Sequence, residues 1–198
     1  MSPPHTDGAR AHTDAHARAG LDVALLLAAR TRWHTPAREH AVARFSRLGE
    51  HGAVWFALGA AGSVLDRPRR RSWERAGGVV ALAFALNSAL KLIVRRPRPT
   101  LEGLPALTDA PTRLSFPSAH ASTSFAGALA YSRLGVPAPA LYALAGGLSL
   151  SRLYLGMHYP SDVLAGALFG SALAAALTRP RQAPEAREAH GAREAHGR

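Results

Sequence analysis

Two histidines and an aspartate are the side chains in this sequence best suited to moving protons and attacking electrophiles near neutral pH. His120 closes the tetrad Pro117-Ser118-Ala119-His120, and His158 and Asp162 lie four residues apart across Pro160 in SRLYLGMHYPSD, Ser151–Asp162. Cations accompany them, with Lys91 and Arg98 in the segment Lys91–Pro99 and Arg152 in the last stretch. Each cluster stands at the edge of an apolar run, where an ionisable group is expensive and usually functional. Three cations, the Ser118 hydroxyl and helix N-termini meeting at one point would make an anion site. A phosphoryl group, which spreads charge over three equatorial oxygens in its transition state, matches such a site. Two histidines add chemistry that binding alone does not need. One can attack phosphorus while the other protonates the departing alkoxide, and an aspartate bonded to the attacker would fix its tautomer. Of the 24 Lys and Arg residues only Lys91 is a lysine, so a single compact point charge stands inside one of these clusters.

The elements that must position these groups follow from the hydropathy pattern. A chain of 198 residues suits one domain, and its 47% hydrophobic content and mean hydropathy of −0.03 resemble a soluble protein. That average conceals polar ends around an apolar middle. The net charge of +11 comes from cations gathered where apolar runs end, as in membrane proteins, and not from basic residues interleaved with aromatics as a nucleic-acid platform requires. Nucleic acid is therefore not an expected partner. The absence of cysteine excludes disulfides, thiolate zinc sites and a thiol nucleophile.

Residues 1–20 and 179–198 read as disordered polar tails, the first with three irregularly spaced histidines and the second with REAHG twice. Residues 21–50 read as an interfacial amphipathic helix and connector. The apolar stretch Leu21–Ala29 is far short of the roughly 20 residues a spanning helix needs, and Trp33 would anchor it at the interface. Residues 51–178 form the membrane domain, with spans over Gly52–Leu65, Gly77–Val94, Pro117 to about Leu134, Ala140–Leu155 and Val163–Leu177. Ser118 is expected to cap the third span and Ser161 or Asp162 the fifth. The fold class is all-α, an integral-membrane bundle of about five transmembrane helices with an N-terminal interfacial helix. Nothing in the pattern specifies an oligomeric state.

Antiparallel spans impose parity. If the second span ends at Lys91, the third begins at His120 and the turn between fourth and fifth holds His158, then all three clusters occupy one face. The five arginines between Asp66 and Arg75 read as a cytoplasmic loop, which puts the clusters on the extracytoplasmic side of a multi-pass cell-membrane protein. The arginines before Gly52 count against that orientation.

Taken together, Lys91 with Arg98-Pro99 after six residues, Pro117-Ser118-Ala119-His120, and Ser151-Arg152 with His158 and Asp162 resemble the three-part signature of the type 2 phosphatidic acid phosphatase superfamily. That superfamily includes bacterial acid phosphatases and vanadium haloperoxidases. The resemblance covers roughly residues 50 to 178. It implies that His158 is the nucleophile of a phosphohistidine mechanism, that Asp162 orients it, and that His120 is the acid for the leaving group and then the base for water. It also implies that Lys91, Arg98, Ser118, the backbone N–H of Ala119 and Arg152 hold the phosphate oxygens, with no metal or other cofactor. Ala119 departs from a common glycine, which helical geometry with negative φ would tolerate. A membrane-edge site implies a lipid phosphate or diphosphate as substrate. The stretch Gly49–Gly52, GEHG, is similar to actinobacterial members acting on polyprenyl-phosphoryl phosphoribose, while undecaprenyl diphosphate, phosphatidate and phosphatidylglycerophosphate stay open. The competing readings are a non-catalytic phospholipid-binding or transport protein, for which the two histidines and Asp162 would be superfluous, and a haloperoxidase, which the apolar spans and the small size of the chain disfavour.

Overall fold

The computed structural model describes residues 20–110 and 112–178, so the polar tails lie outside the described residues apart from Gly20. A helix α1 over residues 20–31 is followed by α2 (Pro36–Arg47), α3 (Ala53–Leu65), α4 (Arg70–Val94), α5 (Ala119–Ser132), α6 (Ala138–Tyr154) and α7 (Pro160–Leu177). The described residues are all-helical, with one isolated bridge between Pro97 and Leu114.

The bundle is built round α5. Its sequence AHASTSFAGALAYS is mostly small residues, and ten of its fourteen positions are buried, which lets α4, α6 and α7 all approach it closely. Against α7 the approach is backbone to side-chain-free backbone. A Cβ placed on Gly170 would collide with the Ser122 carbonyl, and one on Gly166 would stand 2.5 Å from the Ser118 carbonyl. Trp55 of α3, Trp73 of α4 and Tyr131 of α5 stack in the opposite half of the bundle. Trp55 Nε1 donates to Ser124 Oγ at 3.0 Å, and the Tyr131 hydroxyl donates to the Trp55 carbonyl at 2.8 Å.

Successive helices from α3 to α7 alternate in direction. One end gathers the C-termini of α4 and α6 with the N-termini of α5 and α7. The other end is closed by contacts such as Arg69 Nη1 to the Leu134 carbonyl at 3.0 Å and Arg133 to Thr178. The parity expected from the sequence therefore holds for the fold, and the three polar clusters share one end.

Three local expectations are corrected. The arginine run does not form a loop: Arg67–Arg69 is a turn of 3-10 helix and Arg70 begins α4, so the chain turns at Asp66 alone. Ser118 occupies the N-cap position of α5, but its hydroxyl makes no capping bond. At α7 the N-cap is Tyr159. Asp162 sits at the third helical position and its carboxylate reaches back to the Tyr159 N–H at 2.9 Å, closing a capping box, so it serves the cap without being the N-cap residue.

Two helical stretches are long and apolar enough to cross a membrane, Arg67–Val94 and Pro160–Leu177. Each presents large apolar side chains outward. Leu92, Ile93, Leu164 and Leu168 are each more than 60% exposed, whereas Asn87, Ser122, Ser124 and Asp162 are buried. Apolar surface outside and polar groups inside is the arrangement a bilayer imposes.

The α5–α7 contact gives a stability test. Gly170→Ala adds a methyl where the Ser122 backbone already stands, so we expect a loss of about 1–3 kcal/mol, measured by unfolding in detergent against the wild-type protein.

Candidate active site

The end of the bundle that collects the clusters encloses a cavity of about 360 Å³, lined among others by Lys91, Arg98, Ala119, His120, Arg152 and His158. Lys91 arrives on the last turn of α4, and its Nζ donates to the carbonyls of Ser115 at 2.9 Å and Leu114 at 3.3 Å. Arg98 lies on the segment that pairs with residues 113–115. Its Nη1 donates to the Met157 carbonyl at 2.8 Å and stands 3.3 Å from His158 Nε2. Arg152, on the last turn of α6 and 5% exposed, donates through Nη1 to Ser46 Oγ at 2.8 Å. Its Nε and the Ser118 hydroxyl are buried without a partner among the described residues. Unpaired buried donors beside clustered cations are what an anion would satisfy.

His158 sits in the turn between α6 and α7. Its Nδ1 is 3.2 Å from Ser115 Oγ, and the Ser115 hydroxyl donates to Asp162 Oδ2. His158 and Asp162 themselves are 3.7 Å apart, too long for a direct hydrogen bond. The expected pairing thus runs through Ser115. Asp162 is drawn away by two other donors, the Tyr159 N–H and Arg96 Nη1 at 2.8 Å. A Ser115 hydroxyl that donates to a carboxylate can only accept from His158, which puts the imidazole proton on Nδ1 and leaves the Nε2 lone pair beside Arg98. Burial and the nearby cations Arg98, Lys91 and Arg152 push His158 down to about 4 against the pull of Asp162, so the ring is neutral at neutral pH.

His120, in the first turn of α5, also faces the cavity. Its Nε2 must donate to the Ser46 carbonyl, 3.1 Å away, since a carbonyl only accepts; Nδ1 is then the nitrogen without a backbone partner. Gly49 packs against this ring so closely that a Cβ would stand 2.8 Å from His120 Cδ2. That contact explains the first glycine of GEHG, whose Glu50 and His51 line the cavity. Ala119 begins α5 and is not among the residues with positive φ, so the methyl group is accommodated at that position.

Every residue anticipated from the sequence is thus at one end of the bundle: Lys91, Arg98, Ser118, Ala119, His120, Arg152, His158 and Asp162. Ser115, Arg96 and Ser46 were not anticipated. Ser115 lies two residues before Pro117 and Arg96 two before Arg98, so both had motif proximity as a signal. Ser46 had none, since it meets Arg152 across 106 residues of chain.

A helical bundle with apolar flanks, two histidines facing a cationic cavity and a carboxylate behind one of them is the architecture of a phosphatase that works at a membrane. The sequence model of the PAP2 superfamily matches residues 75–184, and the chain belongs to that superfamily. The decaprenylphosphoryl-5-phosphoribose phosphatase of Mycolicibacterium smegmatis is 48% identical over 122 residues, covering 61% of this chain and 67% of that protein. Its namesake in Mycobacterium tuberculosis is 40% identical over 131 residues, covering 66% and 73%. Among solved structures, Aquifex aeolicus LpxE superposes with a TM-score of 0.68 at 27% identity, covering 78% of this chain and 92% of its own. The transmembrane PAP2 type phosphatidylglycerolphosphate phosphatase of Bacillus subtilis gives 0.63 at 24% identity over 81% and 84%, a likeness of fold alone. This chain is a phosphatase of that superfamily.

The anion site predicts binding without turnover. Inorganic phosphate at ten times its dissociation constant should stabilise the folded protein by about 1.4 kcal/mol, seen as a raised unfolding midpoint. Arg152→Gln should remove most of that shift, and an equal shift in the variant would place the anion elsewhere.

Proposed function

We propose that this protein is a multi-pass membrane phosphatase that hydrolyses a phosphate monoester on a polyprenyl-linked sugar phosphate through a phosphohistidine at His158. The observation that carries the reading is the relay from Asp162 through Ser115 to His158 Nδ1, which leaves Nε2 unprotonated beside Arg98 at the cavity. In this reading Nε2 attacks phosphorus while Lys91, Arg98, Arg152, Ser118 and the Ala119 N–H take the charge on the phosphoryl oxygens. His120, whose Nε2–H stays on the Ser46 carbonyl, takes up a proton at Nδ1 from a substrate bound as the monoanion and passes it to the leaving oxygen. Nδ1 then takes a proton from the water that cleaves the phosphorus–nitrogen bond, and that proton leaves with the released phosphate, returning both histidines to their starting state. Asp162 and Ser115 stabilise the imidazolium character that grows on His158 during attack. The cations supply the neutralisation that a divalent metal supplies elsewhere, so no metal is assigned.

The substrate class is supported by the two mycobacterial relatives, named for a decaprenylphosphoryl phosphoribose substrate, and by the position of the cavity at the end of apolar helices. A prenyl chain can stay among the outward-facing leucines of α4 and α7 while the sugar phosphate enters the cavity. In the proposed architecture, residues 51–178 cross the bilayer as a five-helix unit. The short helices α3, α5 and α6 run alongside α4 and α7, with α1 at the interface through exposed Leu21, Leu25 and Trp33. Residues 1–20 and 179–198 are proposed tails outside that unit.

The decisive experiment measures phosphate release by the detergent-solubilised protein, with EDTA, from a polyprenyl-phosphoryl ribose phosphate, undecaprenyl diphosphate and phosphatidate. The first should be preferred, and release from none would refute the enzyme reading. His158→Ala should lower kcat by more than about 10³-fold and His120→Ala by about 10²–10⁴-fold. Because His158 must be neutral to attack and is held near 4, activity should persist below pH 6 and fall as pH drops through about 4. A midpoint near the ordinary imidazole value of about 6.5 would contradict the burial argument.

Orientation is tested separately. The sequence has no cysteine, so Ser72→Cys introduces a unique thiol at the end opposite the site. With the site extracytoplasmic, an impermeant maleimide should label that thiol only after the cells are opened; labelling of intact cells would invert the topology.

A further inference from the structure

The relay behind His158 does not end at Asp162. Arg96 Nη1 donates to Asp162 Oδ1 at 2.8 Å and to Ser161 Oγ at 2.7 Å, while its Nη2 donates to Asp22 Oδ2 at 2.9 Å. Asp22 belongs to α1, which the sequence pattern marks only as a membrane-surface element. It also accepts the Ser161 N–H at 2.9 Å through Oδ1 and takes the Ser161 hydroxyl on Oδ2. The Arg96 guanidinium lies 4.2 Å from the centre of the Tyr159 ring, which holds it against the turn that carries His158. One guanidinium is thus shared between a carboxylate behind the attacking histidine and a carboxylate from the N-terminal helix.

The docking of α1 is specific. Leu26 is fully buried, and Arg30, 4% exposed, donates to the Pro105 carbonyl at 2.7 Å and the Tyr154 carbonyl at 3.2 Å. The Asp22 side chain is 12% exposed. Burial opposes its charge, but hydrogen bonds from Ser161 and Arg96 hold the carboxyl below the usual carboxylate range. Without that second anion, Arg96 would have Asp162 as its one anionic partner among the described residues. A carboxylate drawn towards a full positive charge accepts less well from Ser115, and the imidazolium forming on His158 would face an ion pair with no net negative charge.

We propose that Asp22 is a positioning residue for the reaction, with α1 a working part of the active site: by sharing Arg96, Asp22 sets the Asp162 carboxylate on Ser115 and so on His158. The inference rests on the reading of His158 as the attacking group. It does not place Asp22 on the substrate, and Asp22 is absent from the cavity lining.

The test uses the full chain in detergent with a polyprenyl-phosphoryl ribose phosphate. Turnover by the wild type that disappears in His158→Ala secures the attack; absence of that dependence overturns the reading of His158 and this inference with it. Given that dependence, Asp22→Asn should lower kcat about tenfold, the scale of one weakened charge-assisted hydrogen bond, while KM changes less than twofold. Asp22→Glu should restore most of the loss. In an Arg96→Gln background, Asp22→Asn should cost nothing more, because the charge it offsets is gone. Should Arg96→Gln fail to fold, Arg96→Lys replaces it: it keeps the charge but not the fork, and should by itself lower kcat as Asp22→Asn does. Unchanged kcat in Asp22→Asn, a loss carried by KM, or the same further loss with and without Arg96 would overturn the proposal. So would a normal kcat in Arg96→Lys.

Discussion

A carboxylate with no solvent exposure governs this active site. Asp162 carries its charge inside the first turn of α7, where an uncompensated anion would cost several kcal/mol. It is compensated from three directions: the Tyr159 N–H at the helix start, the Arg96 guanidinium and the Ser115 hydroxyl. Each donor comes from a different segment, so satisfying one charge joins the α6–α7 turn to both ends of the connection between α4 and α5. Arg96 then brings in α1 through Asp22. His158 is placed by what that network leaves over, an oxygen on Ser115 able to accept from Nδ1.

The cavity poses the opposite electrostatic problem. Lys91, Arg98 and Arg152 point their charges at a partly enclosed space, and each is anchored by carbonyl or hydroxyl oxygens rather than by carboxylates. Neutral acceptors hold a cation's position without cancelling its charge, so the field is available to a bound anion. Asp162 lies behind Ser115 and the imidazole, while Glu50 and Asp109 line the cavity and offset part of the cations' charge. Behind His158 each charge has an opposite partner, while in front of it three cations face two carboxylates, and that difference suits the attack proposed for Nε2.

Much of this was legible in the sequence. The spacing within Lys91–Pro99, Pro117–His120 and Ser151–Asp162 reports residues that local chain geometry brings together, and parity of helix direction brings the three segments to one end. Ser46, Ser115, Arg96 and Asp22 act through contacts with partners 43 to 139 residues away, and no local period encodes those contacts. The helix boundaries failed for a different reason. Arginine is a good helix former, so a run that hydropathy marks as a loop can continue a helix outward from its apolar stretch. The cap of α7 was misread because both Ser161 and Asp162 can accept from backbone N–H groups, and the choice fell to Tyr159 once Pro160 took the first helical position.

The composition of α5 follows from the same requirement. His120 comes from α5 and His158 from the turn before α7, and the proposed reaction needs both to reach one phosphoryl group. Bulky residues along α5 would push α7 outward and carry Asp162 and the His158 turn with it. Small residues on α5, with Gly166 and Gly170 on α7, let the backbones close to contact, where the Ser118 N–H donates to the Asp162 carbonyl at 3.0 Å. That bond ties the N-terminus of α5 to the first turn of α7. The segment that presents Ala119 and His120 to the cavity is therefore registered against the segment that holds Asp162. In a bilayer, where lipid tails offer no hydrophobic drive for helix association, such close packing and interhelical hydrogen bonding are what hold that register.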